Sequence, residues 1–117
     1  IFCVAAGGAI GALLRYGAVQ LTMHFHPAPF PLGTMLVNII GSFFIGLLMV
    51  RYAATPSESA QLFFVTGVLG GFTTFSAFSW DALQLMQRGQ MTLAGTYILG
   101  SVVLSLGAVM LGYQMGR

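Results

Sequence analysis

The chain has 117 residues, 57% of them hydrophobic and 5% charged, with a formal net charge of +2 and a mean hydropathy of +0.91. Soluble domains carry about 25% charged residues, so this chain cannot clothe itself in water. Its four arginines are too few and too scattered for nucleic-acid binding, and its single cysteine, Cys3, excludes an intrachain disulfide and suits packing or lipid contact better than redox chemistry.

A first transmembrane helix is predicted from about Phe2 to Met23. It is long, and Arg15 lies toward its far end rather than before it, so it does not read as a cleaved signal peptide. Arg15 either snorkels to the interface or binds an anion entrance or a neighbouring helix end. The stretch from His24 to Pro31 has three prolines in five positions and is predicted to be an irregular loop. His24 and His26 in that loop lack further soft ligands, so no metal is expected there.

A second helix is predicted from about Leu32 to Ala53. Thr34, Asn38 and Ser42 recur every four residues and share one face. The hydroxyls can bond their own helix carbonyls. The amide of Asn38 has no such outlet, so it is either interhelical glue or part of a pathway. Thr55-Pro56-Ser57-Glu58 reads as a turn, with Thr55 as N-cap and Pro56 at the first helical position.

The third span, about Ser59 to Gln87, contains Gly70-Gly71-Phe72-Thr73-Thr74-Phe75-Ser76-Ala77-Phe78-Ser79. A helix that stops at bilayer depth exposes carbonyls and amides that lipid cannot satisfy, so a break here marks a functional centre facing protein, water or an ion. Phe75 and Phe78 share a helical face. Their ring edges, which carry positive charge, can meet a small anion, or the rings can simply face lipid or fill a core. Trp80 suits the interface or a neighbouring helix equally. Glu58 and Asp81 are expected near aqueous surfaces, leaving no acid deep in a span. Donors without fixed negative charge suit an anion better than a proton-coupled carrier.

After the Arg88-Gly89-Gln90 turn, a fourth helix is predicted from Met91 to about Met115, with Tyr97, Ser101 and Ser105 on one face. Gly7 and Gly11 are four apart, as are Gly112 and Gly116, which predicts close helix packing. Four crossings put Arg51 and Arg117 on one side and Arg88, with Arg15 nearby, on the other. A two-against-two balance predicts insertion in both orientations and an antiparallel dimer. Four helices have little interior for a conduction path, so an oligomer is expected to be the working unit.

Three blocks, Gly7–Tyr16, Gly33–Phe43 and Gly67–Ser76, resemble the bacterial CrcB/Fluc fluoride channels in family order, and the four-span pattern covers the whole chain, 1–117, as a single domain. The resemblance implies an all-α protein of the bacterial inner membrane, multi-pass, with a broken third helix. It implies an antiparallel dual-topology homodimer with two fluoride pathways and passive export. Carried over by position, Asn38 is the pore amide, Phe75 and Phe78 the paired rings, and Tyr97, Ser101 and Ser105 the polar stripe facing them. Thr34 and Arg15 join the anion pathway. The carbonyls of Gly70 and Thr73 are implied to hold a structural sodium ion on the dimer axis. Ala77 departs from the family pattern, which commonly has threonine there. Two other readings stand beside this one. A small multidrug-type proton-coupled exporter needs a carboxylate in its first helix, and residues 2–23 have none. A non-conducting assembly subunit would leave Asn38 and Phe75 in lipid or solid protein contacts. No catalytic grouping of nucleophile, base and orienting residue is present.

Overall fold

The apolar runs form helices long enough to cross a bilayer four times, over Phe2–Phe25, Leu32–Ala53, Glu58–Gln87 and Met91–Gly116. A computed structural model describes residues 1–25, 30–54 and 58–117. His26, the prolines beside it, and the Thr55-Pro56-Ser57 part of the predicted turn lie outside the described residues. The first helix is α1 (Phe2–Phe25) and the second α2 (Leu32–Ala54). The third span is composite, with α3 (Glu58–Gln61), a π-helical stretch (Leu62–Leu69), α4 (Gly70–Phe72) and α5 (Phe75–Gln87). The fourth is α6 (Met91–Gly116). No strand occurs among the described residues. Each predicted span lies within two residues of an observed end.

Glycine sets the packing. α2 runs against α6 over much of its length, and α1 runs against the π-helical stretch. A Cβ on Gly67 would lie 2.8 Å from the Cα of Gly7, so those two backbones touch. On the other side of the bundle a Cβ on Gly112 would enter the Phe43 carbonyl and lie 3.0 Å from the Leu47 amide. Helices in lipid gain little from hiding apolar surface, so this close approach supplies the van der Waals attraction that holds them together. Gly112→Val is therefore expected to force α2 and α6 apart and lower the thermal midpoint in detergent. The loss is on the order of the 1–3 kcal/mol seen for overpacked cores. An unchanged midpoint would show that this contact is not a stabilising seam.

The π-helical winding at Leu62–Leu69 has no counterpart in the residue pattern. Such windings are frequent at functional sites, and this one leads through α4 into the segment where the third span leaves the helical conformation. The turn after α5 is simpler. Gly89 has φ of 77°, and the amides of Arg88, Gly89 and Gln90 bond back to Gln84, Met86 and Leu85 carbonyls. A left-handed glycine closing a helix this way reverses the chain within three residues.

The buried core is small and lies where α2, α5 and α6 meet. It comprises Met35, Ala82, Leu85, Ala94 and Tyr97, flanked by Phe30, Ile39 and Phe78. Elsewhere large apolar side chains such as Leu13, Leu21, Leu99, Val103 and Met110 point outward. In a membrane, lipid tails cover them.

Candidate functional site

The site is built around two residues. Thr73 (φ −81°, ψ 154°) and Thr74 (φ −153°, ψ 125°) are extended between α4 and α5. Their neighbours' backbone groups cannot all close helical bonds, and lipid offers no substitute. Side chains of the segment itself and of α1 and α2 supply partners instead. The Thr73 amide and hydroxyl both donate to the Leu69 carbonyl, each at 2.9 Å. The Thr74 hydroxyl accepts from the Ala77 amide at 3.2 Å, capping α5. From α2, Asn38 accepts the Thr74 amide on Oδ1 at 2.8 Å and donates Nδ2 to the Thr74 carbonyl at 3.1 Å. From α1, Arg15 Nε donates to the Gly71 carbonyl at 3.2 Å.

Among the described residues three carbonyls here receive no hydrogen bond, those of Gly70, Phe72 and Thr73. In a continuous helix the Gly70 oxygen would take the Thr74 amide and the Thr73 oxygen the Ala77 amide. Both amides are committed elsewhere, one to Asn38 and one to the Thr74 hydroxyl. Among the described residues neither oxygen receives another bond. Gly70 is exposed on the outer face of the chain. This donor set, neutral carbonyl oxygen at a break, fits a hard monovalent cation. Among the described residues no three His, Cys, Asp or Glu side chains come together to offer another metal site.

The same segment borders an open cavity of about 360 Å³. Asn38 and Ser42 from α2, Thr73, Thr74, Phe75 and Phe78, and Ser101 and Ser105 from α6 line it. Asn38 spends one N–H on Thr74 and retains a second. Ser101 is 4% exposed, and its hydroxyl has no hydrogen-bond partner among the described residues. A buried hydroxyl facing a cavity without a partner is costly unless something enters to meet it. Phe75 is 78% exposed, with its ring 5.6 Å from that of Phe78 and tilted 42° to it. No basic or acidic side chain lines this space.

The family model for CrcB-like protein, Camphor Resistance (CrcB), matches residues 2–113. The chain belongs to the CrcB family. A relative in Agrobacterium fabrum, named Fluoride-specific ion channel FluC, is 50% identical over 100% of this chain and 95% of its own length. Relatives with the same name in Paracoccus denitrificans (49% identical, 97% of this chain and 91% of the relative) and Rhizobium leguminosarum bv. trifolii (47%, 97% and 93%) are similar over nearly as much. The names describe ion channels rather than enzymes, and four apolar spans make this CrcB-family chain a multi-pass membrane protein.

Of the eight residues assigned to the anion path, Asn38, Phe75, Phe78, Ser101 and Ser105 meet on this cavity, as do Ser42 and the cation-site residue Thr73. Tyr97, Thr34 and Arg15 do not line it. Tyr97 is fully buried behind Phe78, with ring centroids 5.1 Å apart, and its hydroxyl donates to Asp81 Oδ2 at 3.3 Å. Thr34 is 6% exposed and belongs to this second cluster, beside Asp81 and Tyr97. Arg15 lies neither at a helix end nor on the cavity. It is ten residues before the end of α1, about 15 Å along the axis, and is tied to Gly71.

Two further residues take part. Asp81, expected near an aqueous surface, is half-buried against Tyr97. The available signal was its position three residues after Phe78, on the same helical face. Thr74 is visible in the sequence only as part of a motif, and nothing local identifies its amide and carbonyl as the partners of Asn38.

Proposed function

We propose that this chain forms a fluoride channel that lets fluoride leave the cell down its gradient. In this reading it works as an antiparallel dimer of two oppositely inserted copies, with one pathway along each chain's cavity. The observation that carries it is the pairing of the unpartnered Ser101 hydroxyl with the spare N–H of Asn38 on one cavity without fixed charge. Fluoride is small and strongly hydrated, so it must exchange water for close donors. Hydroxyl and amide groups provide these without the deep trap that a buried lysine or arginine would create. The names of the relatives point to the same ion.

The aromatic rings fit the same chemistry. A phenyl ring is electron-poor at its edge, and Phe75 and Phe78 stand together on the cavity beside Ser101. An anion passing in the plane of each ring gains attraction at every step and is bound strongly at none. A high-resolution structure with fluoride is expected to show density near a ring edge. Density over a ring face, or rings distant from any anion, would remove them from the path.

The orphaned carbonyls of Gly70 and Thr73 support a sodium ion shared between two copies. One chain supplies two oxygens, and a twofold axis through the exposed Gly70 face would bring four together. When bound, the ion would neutralise carbonyls that lipid cannot satisfy, join the copies and raise the positive potential beside both paths. Antiparallel pairing is supported by the charge distribution. Arg51 and Arg117 lie toward one side and Arg88 toward the other, while Arg15 is held on Gly71 inside the bundle. A difference of one charge gives little orienting bias.

Liposomes containing the purified protein, loaded with fluoride or with chloride, test the central claim. Rapid fluoride efflux with chloride retained is the expected result. Equal leak of both ions, or retention of both, would exclude a fluoride channel.

A further inference from the structure

Asn38 lies both on the cavity and on the backbone that would hold the cation. Its two bonds to Thr74 form a closed pair, with the amide accepted at 2.8 Å and the carbonyl bonded at 3.1 Å. This pair competes with a simpler arrangement. If Thr74 turned helical, α4 would run directly into α5, the Thr74 amide would return to Gly70, and that carbonyl would be satisfied. Helix propagation favours that closure, since each added residue gains a bond, and so does the membrane, where lipid offers an unmet carbonyl no donor. The extended geometry of Thr74 therefore needs a competing acceptor for its amide. Asn38 Oδ1 is that acceptor.

We infer that Asn38 is a positioning residue for the cation site: by holding the Thr74 amide, it keeps the Gly70 carbonyl free to bind sodium. This rests on the sodium reading above and deepens it. The role is distinct from donating to the anion, because it uses Oδ1 and one N–H, whereas the anion would use the other N–H. The two roles on one amide also couple the sites, so disturbing Asn38 changes cation affinity in the absence of any fluoride.

The two roles separate by substitution. Asn38→Leu keeps the approximate shape but removes the acceptor, releasing the Thr74 amide to Gly70. Asn38→Asp keeps an oxygen for that amide. The readout is the thermal midpoint of the purified protein in detergent without fluoride, as sodium replaces N-methylglucamine at constant ionic strength. A cation that binds only the folded state raises the midpoint as its concentration rises. Wild type is expected to respond and Asn38→Asp to respond at least as strongly. Asn38→Leu is expected to need at least about tenfold more sodium, since each copy regains roughly one hydrogen bond in the unbound state. If wild type responds and Asn38→Leu responds at the same concentrations, the inference falls and the sodium reading stands. If wild type shows no response, both fall. Should the leucine variant fail to fold, the aspartate variant still decides, because a folded Asn38→Asp protein without a sodium response overturns the inference.

Discussion

Asn38→Asp is expected to reduce fluoride efflux from liposomes by at least about 100-fold. The direction does not depend on the charge state of the new side chain. Ionised, it has no donor and repels the anion, by about 4 kcal/mol at 4 Å for an effective dielectric near 20. Protonated, its single O–H is needed by the Thr74 carbonyl that Nδ2 now serves, so nothing is left for the cavity. Loss of a hydrogen bond to a charged group alone is worth roughly 1.5–3 kcal/mol, or about 10- to 100-fold. The backbone pairing through Oδ1 survives, so the variant should remain folded. Efflux at the wild-type rate from a folded Asn38→Asp protein would show that the amide does not meet the conducted ion.

Fixing the orientation of the chain is expected to have an equally large effect. Two lysines added at the Gln90 turn would give that side three charges against Arg51 and Arg117. Short-loop Lys and Arg set orientation, so most chains would then insert one way. If the working unit is antiparallel, flux should fall to a small residue, and co-expression of an oppositely biased variant should restore it. Labelling of single cysteines placed at Ser57 and at Gln90, with Cys3 replaced, measures the orientation directly. If each site in the otherwise native chain labels from one side only, the antiparallel assignment is wrong. Full flux from chains locked in one orientation would sink it equally.

The coarse fold was legible because it follows from chain-local physics. Twenty or more apolar residues must cross a bilayer as helix, and Pro27, Pro29, Pro31 and Gly89 sit where such helices cannot continue. The cavity face was half legible. Residues four apart share a face, which placed Asn38 with Ser42 and Ser101 with Ser105, and both pairs line the cavity. The same rule grouped Thr34 and Tyr97 with them, yet both lie in the neighbouring cluster with Asp81. A helical stripe fixes direction around the axis and not depth along it. Two helices crossing at an angle share a cavity over only part of each stripe.

Arg15 shows where local reasoning fails. An arginine in an apolar helix has only two generic outcomes from its own segment, the interface or a partner. The partner is a carbonyl 56 residues away, exposed as an acceptor only because Thr73 and Thr74 are extended. The Asn38 amide and its Thr74 partner are 36 residues apart. Composition and periodicity by themselves determined a four-span membrane protein with a donor-rich face and an interruption at the centre of its third span. Tertiary structure alone decided which carbonyls at that centre are satisfied and which are left open. A helix meets its own backbone needs locally, but where its winding is interrupted, the missing donors must come from whatever side chains the other helices bring to that depth.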